Sequence, residues 1–202
     1  EKMGMNKEIR EKVYSSGEAA LNYLKKNLLG ENFFHLGPPR DFDLFLDFKK
    51  NKTTDIHKSS YLLCTGLFEE QSEDLNYYKG LFKDHLNKKM ICTNPDLIVD
   101  RGNKRELCAG SVALVFEKMG GEVIYFGKPF SEVYDQSINN KKKRVLSIGD
   151  NLNTDIKGAN LLNYDSLLIS NGIHKDEIKK EGIDVVSKKY EVVVTFIQTE
   201  LK

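Results

Sequence analysis

Tryptophan is absent from the 202 residues, proline occurs four times and cysteine three times. Cys64, Cys92 and Cys108 stand far apart in apolar runs, and an odd count leaves one thiol over in any disulfide scheme, so all three are expected as reduced, buried thiols. There is no CxxC pair and His35, His57, His85 and His174 are scattered, which excludes a structural zinc site. No apolar run approaches the roughly 20 residues of a membrane helix, and Glu1 to Arg10 lacks the apolar centre of a signal peptide. A cytoplasmic protein with no membrane partner is the expectation. Net charge is equally scarce: 31 Lys+Arg oppose 30 Asp+Glu. No global field recruits nucleic acid or an anionic surface, and a charged ligand has to be held by local chemistry. Repeats and low-complexity tracts are missing, and no GxGxxG turn supports a dinucleotide binder.

What is present suits a folded chain: 40% of residues are hydrophobic and 10% aromatic. At this length one large or two small domains would bury roughly 70% of the unfolded surface. Periodicity predicts helices at 7–13 and 17–28, the second capped by Ser15 or Ser16. Short apolar strands follow at 32–36, 60–65 and 90–93, with a helix near 74–86, a hairpin or irregular stretch at 97–107 and a helix from about 110 to 119. After Gly120-Gly121 strands are expected at 122–126, 144–148, 165–169 and 183–186. Helices are expected at 131–139, 152–162, 174–181 and 188–201. The β-branched Val192 to Thr195 leave strand open for the last of these. Strands separated by single helices form a parallel sheet with both faces covered. The boundary is placed at Gly120-Gly121, separating an α/β region 1–120 from a parallel α/β region 121–202.

Ligands of an open parallel sheet sit beyond the carboxyl ends of its strands, where loops and free N–H groups converge. Gly127-Lys128-Pro129 follows one such strand and Gly149-Asp150-Asn151-Leu152-Asn153-Thr154-Asp155 the next. An ammonium and two carboxylates are thereby expected on one rim. Lys128 can neutralise a phosphoryl oxygen, and Asp150 is a hard oxygen ligand suited to Mg²⁺. Asp155 can hold a metal-bound water or orient Lys128. Each residue alone also reads as a helix cap, a first-turn acid or a solvated lysine; the two strand ends together carry the functional reading.

That pair of motifs resembles the haloacid dehalogenase-like (HAD) superfamily, in particular its class IIA capped phosphatases, whose members include p-nitrophenylphosphate and N-acetylglucosamine-phosphate phosphatases. Thr93-Asn94-Pro95-Asp96 resembles a signature of the cap, Ala109-Gly110-Ser111 the small-residue start of the helix leading back to the core, and Val13 to Ala19 the beginning of the cap. Cys64 to Phe68 and Tyr125 to Pro129 are similar to runs of an uncharacterised bacterial subgroup. The resemblance implies the C-terminal half of a three-layer α/β/α Rossmann-like core plus an α/β cap over 1–120. It implies a Mg²⁺-dependent hydrolase of a small phosphorylated metabolite. Lys128 would bind the transferred phosphoryl group, Asp150 would ligate Mg²⁺ and Asp155 would act from behind them. Thr93, Asn94, Asp96 and Asn151 would contact substrate.

The same resemblance implies residues that the sequence lacks. A nucleophilic Asp, followed two residues later by an acid, should end an apolar strand. The only DxD, Asp41-Phe42-Asp43, follows Gly37-Pro38-Pro39-Arg40 and falls within cap sequence. Ile91 to Asn94 imitates the second family motif, but the following Pro-Asp fits the cap signature better. The expectation is a chain that starts after motifs one and two, inactive alone, whose strand at 144–148 lacks a neighbour and accepts a complementary N-terminal segment. The alternative is a non-catalytic remnant that retains phosphate, metal or protein binding.

Overall fold

In the computed structural model, residues 6–10, 12–102, 104–138 and 144–201 are described. The chain forms two compact units, Glu1–Gly127 and Lys128–Lys202.

The first unit opens with α1 (Lys7–Arg10) and α2 (Ser16–Asn27). Ser15 caps α2, its hydroxyl accepting from the Glu18 amide at 3.1 Å. A five-stranded parallel sheet follows, ordered β2-β1-β3-β4-β7. Its strands are β1 (Phe33–Leu36), β2 (Lys52–Thr53), β3 (Tyr61–Cys64), β4 (Lys89–Cys92) and β7 (Glu122–Tyr125). Helices α3 (Leu75–Phe82) and α4 (Ala109–Lys118) cover one face, where Phe82 and Phe116 meet edge to face at 5.0 Å. On the other face lie α2, through Ala19, Ala20 and Leu24, and a 3₁₀ stretch, Pro39–Asn51. Burial on both faces explains why β3 is apolar at every position. The 3₁₀ stretch had no element assigned from the sequence. Its Phe42, Phe45 and Phe48 are all buried at a spacing of three, on two short 3₁₀ turns that meet at a kink at Phe45 (φ −108°, ψ 19°). The irregular 97–107 region is an antiparallel hairpin of β5 (Ile98–Arg101) and β6 (Lys104–Leu107).

The expected boundary at Gly120-Gly121 moves. Strand β7 pairs with β4, Met90 opposite Val123 and Cys92 opposite Tyr125, so it completes the first sheet instead of opening the second. Val123 and Tyr125 pack toward α3 and α4 while Ile124 packs toward α2; the alternation in 122–126 is satisfied by the front layers.

The second unit comprises α5 (Ser131–Ser137), β8 (Leu146–Gly149), a π turn at Leu152–Ile156 running into α6 (Lys157–Leu161), β9 (Asp165–Ile169), α7 (Lys175–Glu181), α8 (Ile183–Lys189) and β10 (Phe196–Gln198). Its parallel sheet is ordered β10-β9-β8. Two expectations fail here. The strand at 183–186 is the helix α8: Gly182, at φ +83°, separates it from α7, and Ile183, Val186 and Tyr190 recur at helical spacing against the core of Leu152, Ile156 and Leu168. In place of the closing helix at 188–201, Lys188 and Lys189 end α8, a turn follows at Tyr190-Glu191, and residues 192–195 lead into β10. The side-chain amide of Asn160 clamps this last segment, accepting from the Val193 amide at 2.7 Å and donating to the Val193 carbonyl at 2.9 Å. The β-branched run that left strand open is thus resolved as extended chain.

Cys64, Cys92 and Cys108 are free thiols, the first two buried. Among the described residues no helix is long and apolar enough to cross a membrane.

One buried histidine ties the carboxyl ends of β1 and β3. His35 Nε2 lies 2.8 Å from Thr65 Oγ1 and Nδ1 lies 3.4 Å from Lys52 Nζ. An ammonium only donates, so Nδ1 accepts and the proton sits on Nε2, pointing to Thr65. Burial, with the Lys52 charge behind it, lowers the His35 pKa to about 4. The unfolded chain, with an ordinary histidine near 6.5, binds the extra proton first, so this stabilisation is complete above pH 6.5 and is lost as pH falls toward 4. The full difference is about 3 kcal/mol. Melting temperature is expected to fall between pH 7 and 5, and His35→Gln to flatten that dependence; thermal melts at half-unit steps check it.

Candidate active site

At the carboxyl end of β8 the backbone passes from Gly149 through Asp150 and Asn151 into the π turn. The Asn151 side chain caps that turn, accepting from the Asn153 amide at 2.9 Å. Asp155 is 4% exposed, a burial that demands partners for a carboxylate. Its Oδ1 accepts from Lys128 Nζ and its Oδ2 accepts from the Asn151 amide at 3.1 Å. Room for the carboxylate exists because residue 149 has no side chain: a Cβ there would stand 2.1 Å from Asp155 Cγ. The glycine of the motif is explained by this close approach. Lys128 is half exposed, so its ammonium is held from behind by Asp155 and remains open to solvent in front.

Asp150 has a different environment. Its Oδ2 accepts from the Ile173 amide at 3.1 Å, and its Oδ1 has no hydrogen bond among the described residues. A carboxylate oxygen left open in this way, one residue from the Asn151 amide that holds Asp155, can receive a hard cation. Magnesium suits such a donor, since it keeps several waters and binds through one or two carboxylates plus phosphate. Among the described residues no three His, Cys, Asp or Glu side chains converge into a cation cage. A cation on Asp150 therefore takes its other ligands from water, from substrate or from groups beyond these. The residues present fit Mg²⁺ as a partial site.

The structure thus gathers Lys128, Asp155 and Asn151 by direct hydrogen bonds, with Asp150 next to Asn151 in the chain. Of these, Asn151 turns its side chain to capping, so its amide and not its carboxamide serves the site. Reasoning from the sequence missed Ile173, whose backbone amide carries no residue-type signal. It also missed Tyr134. Burial, and next the Asp155 charge, push that phenol up to about 12, so it stays protonated against the carboxylate.

Thr93, Asn94 and Asp96 cluster in the first unit after β4. They line a hollow of about 390 Å³ together with Ser16, Asp41 and Thr65. Thr93 is buried and its hydroxyl donates to the Cys64 carbonyl at 3.3 Å, while Asn94 Oδ1 accepts from the Asp96 amide at 3.1 Å. The Asn-Pro-Asp segment is a side-chain-capped turn. It packs on α4 so closely that a Cβ at Gly110 would stand 2.1 Å from the Pro95 carbonyl oxygen, which accounts for the small residues at 109–111.

A family model described as HAD-hydrolase-like matches residues 125–194, the segment that carries Lys128, Asp150 and Asp155. A dihydroxyacetone phosphatase of Corynebacterium glutamicum is 24% identical over 84% of this chain and 62% of its own length. A hydrolase of the haloacid dehalogenase-like family from Brucella suis superposes with a TM-score of 0.72 at 29% identity, over 80% of this chain and 63% of that one. A p-nitrophenyl phosphatase from Archaeoglobus fulgidus shares the fold at a TM-score of 0.66 and 15% identity, over 92% of this chain and 70% of its own. The chain thus spans less than two thirds of the Corynebacterium and Brucella relatives. With the family model lying on the very strand ends that hold the ammonium and the two carboxylates, residues 125–194 are similar to the haloacid dehalogenase-like hydrolases, and the fold is shared with such proteins over most of the chain.

Proposed function

We propose that residues 128–202 hold the phosphoryl- and cation-binding half of a Mg²⁺-dependent phosphomonoesterase of the class IIA type, acting in the cytoplasm on a small phosphorylated metabolite. The front unit, expected over 1–120, serves as its cap. The observation that carries the reading is the buried Asp155 carboxylate turning the Lys128 ammonium outward while Asp150 keeps one oxygen open.

Each residue has a definite task. Lys128 binds an equatorial phosphoryl oxygen and meets the charge that grows there in the transition state. Asp155 fixes the direction of that ammonium and is itself fixed by the Asn151 amide. Asp150 Oδ1 would hold the cation, and Mg²⁺, when bound, supplies further neutralisation of the phosphate charge. Thr93, Asn94 and Asp96, in the hollow of the first unit, are the proposed substrate contacts, with the Thr93 hydroxyl engaged by the Cys64 carbonyl. Asn151 contributes its backbone.

The attacking carboxylate is the missing part, since no apolar strand of this sequence ends in Asp-x-Asp. The arrangement of β8 supports its delivery by a complementary strand. β8 is the terminal strand of the order β10-β9-β8, and among the described residues nothing pairs with its outer edge. Leu146 and Ile148 share a sheet face with Phe196, and the three are 46%, 48% and 52% exposed. A bare apolar edge in a parallel sheet is a template for another strand. Were no such strand supplied, the chain would be a phosphate- and cation-binding remnant.

Turnover decides between them. With Mg²⁺ and p-nitrophenyl phosphate, the 202 residues alone are expected to show no more hydrolysis than Asp150→Ala, and a co-expressed segment with an apolar strand ending in Asp-x-Asp-Gly is expected to raise it at least a hundredfold. Hydrolysis by the chain alone that disappears in Asp150→Ala would place the nucleophile within these residues. Failure of every such segment would leave the remnant. Binding gives a second prediction: Lys128→Ala should weaken inorganic phosphate binding about tenfold by calorimetry, the size of one charge-assisted contact. Asp155→Asn, which releases the ammonium, should weaken it by a similar factor.

A further inference from the structure

Asp150 is held by a loop, and that loop is held in turn by a carboxylate of α7, Glu177. Residues 170–174 join β9 to α7. The Ser170 and Asn171 amides donate to the Gln198 and Thr199 carbonyls at 2.9 and 3.2 Å. Gly172 lies against Asp150 so closely that a Cβ would stand 2.2 Å from both Cβ and Oδ2 of the aspartate. The next amide, Ile173, makes the bond to Asp150 Oδ2.

The far end of the loop is His174, which is 8% exposed. Its Nδ1 lies 3.2 Å from Glu177 Oε2. The same carboxylate accepts from the Tyr190 hydroxyl at 3.0 Å and from Lys189 Nζ, both at the end of α8. The Tyr190 ring meets the imidazole edge to face at 4.7 Å. Glu177 therefore gathers one donor from the loop and two from α8. The Lys189 contact most of all, helped by His174 and Tyr190 and opposed by burial, holds its carboxyl below the usual range. An ionised carboxylate only accepts, so the His174 proton is on Nδ1 and the ring orientation is set. α7 has no buried residue and meets the core of Leu152, Ile156, Leu168, Val186 and Val192 through the partly buried Ile178, so the Glu177 contacts also tie α7 to α8.

We propose that Glu177 is a positioning residue, which by clamping His174 to α8 keeps the Ile173 amide on Asp150 and so keeps the second oxygen of Asp150 presented to a divalent cation. The cation half of this statement rests on the proposed function; the clamp on Ile173 does not. Groups that orient the neighbours of a ligand are a recurrent way of tuning metal affinity.

The test uses the full chain, ¹⁵N-labelled, as wild type, Glu177→Ala, Glu177→Gln and Val192→Ala, the last a core variant that leaves the clamp intact. Native-state amide exchange should quicken at Ile173 at least tenfold in Glu177→Ala, with Leu168 in β9 no faster than in Val192→Ala. Glu177→Gln, which keeps one carbonyl acceptor, should fall between. Mn²⁺ titration followed by electron paramagnetic resonance should show affinity lowered three- to tenfold in Glu177→Ala and unchanged in Val192→Ala. Ile173 exchange equal to that of Val192→Ala would overturn the clamp. Should Glu177→Ala fail to fold, Glu177→Gln and Tyr190→Phe decide by the same readout. Mn²⁺ binding that survives Asp150→Asn would overturn the cation reading of Asp150, and exchange at Ile173 would still decide the clamp.

Discussion

The candidate site depends on burying one charge. Asp155 has almost no contact with solvent, and a carboxylate in that position must have its oxygens satisfied. Lys128 and the Asn151 amide satisfy them, and the rest of the rim follows. The ammonium is drawn to the end of β8, the turn after β8 is wound so that its amide faces inward, and Gly149 is left without a side chain to make room. Asp150, next along the chain, is thereby turned out of the burial that Asp155 occupies. Two acids five residues apart acquire opposite roles from their surroundings, one engaged at both oxygens and one engaged at a single oxygen.

Much of this was legible in the residue order. Ser15 caps α2 as its type and position suggested, and β1, β3, β4, β7, β8 and β9 lie within a few residues of their expected places, while β2 and β10 were not expected as strands. The ammonium and the distal acid of the two motifs do meet. The failures have physical causes. Strand β7 was assigned to the rear sheet by its spacing from the next strand, but a strand joins whichever sheet buries both of its faces, and Val123, Ile124 and Tyr125 find their partners in the front layers. Ile183 to Val186 looked like a strand because it is β-branched, yet Gly182 and the helical recurrence of Ile183, Val186 and Tyr190 override that preference. The Phe42, Phe45, Phe48 ladder passed unread because its period of three belongs to neither a strand nor an ordinary helix.

Other features leave no trace in residue type. The amide of Ile173 is a backbone donor, and any residue but proline offers one. Thr93, expected to face substrate, gives its hydroxyl to the Cys64 carbonyl, because an interior threonine after a buried strand satisfies the nearest acceptor first. Its contribution to the hollow is therefore the placement of the Asn94 turn. The close seat of Pro95 on Gly110 shows the same economy: the turn is held by lack of bulk beneath it, and its identity resides as much in 109–111 as in 93–96.

The open flank of β8 also restricts how copies of this unit can associate. Two identical flanks brought together by a two-fold axis run in opposite directions, so a closed dimer through β8 would insert an antiparallel step into an otherwise parallel sheet. Parallel continuation requires β8 of one copy to meet β10 of the next, a head-to-tail contact that grows as an open ribbon unless its rotation closes a ring. Any partner that caps β8 in the sheet's own direction also suppresses that polymerisation, so solubility and completion of the sheet are set by the same strand.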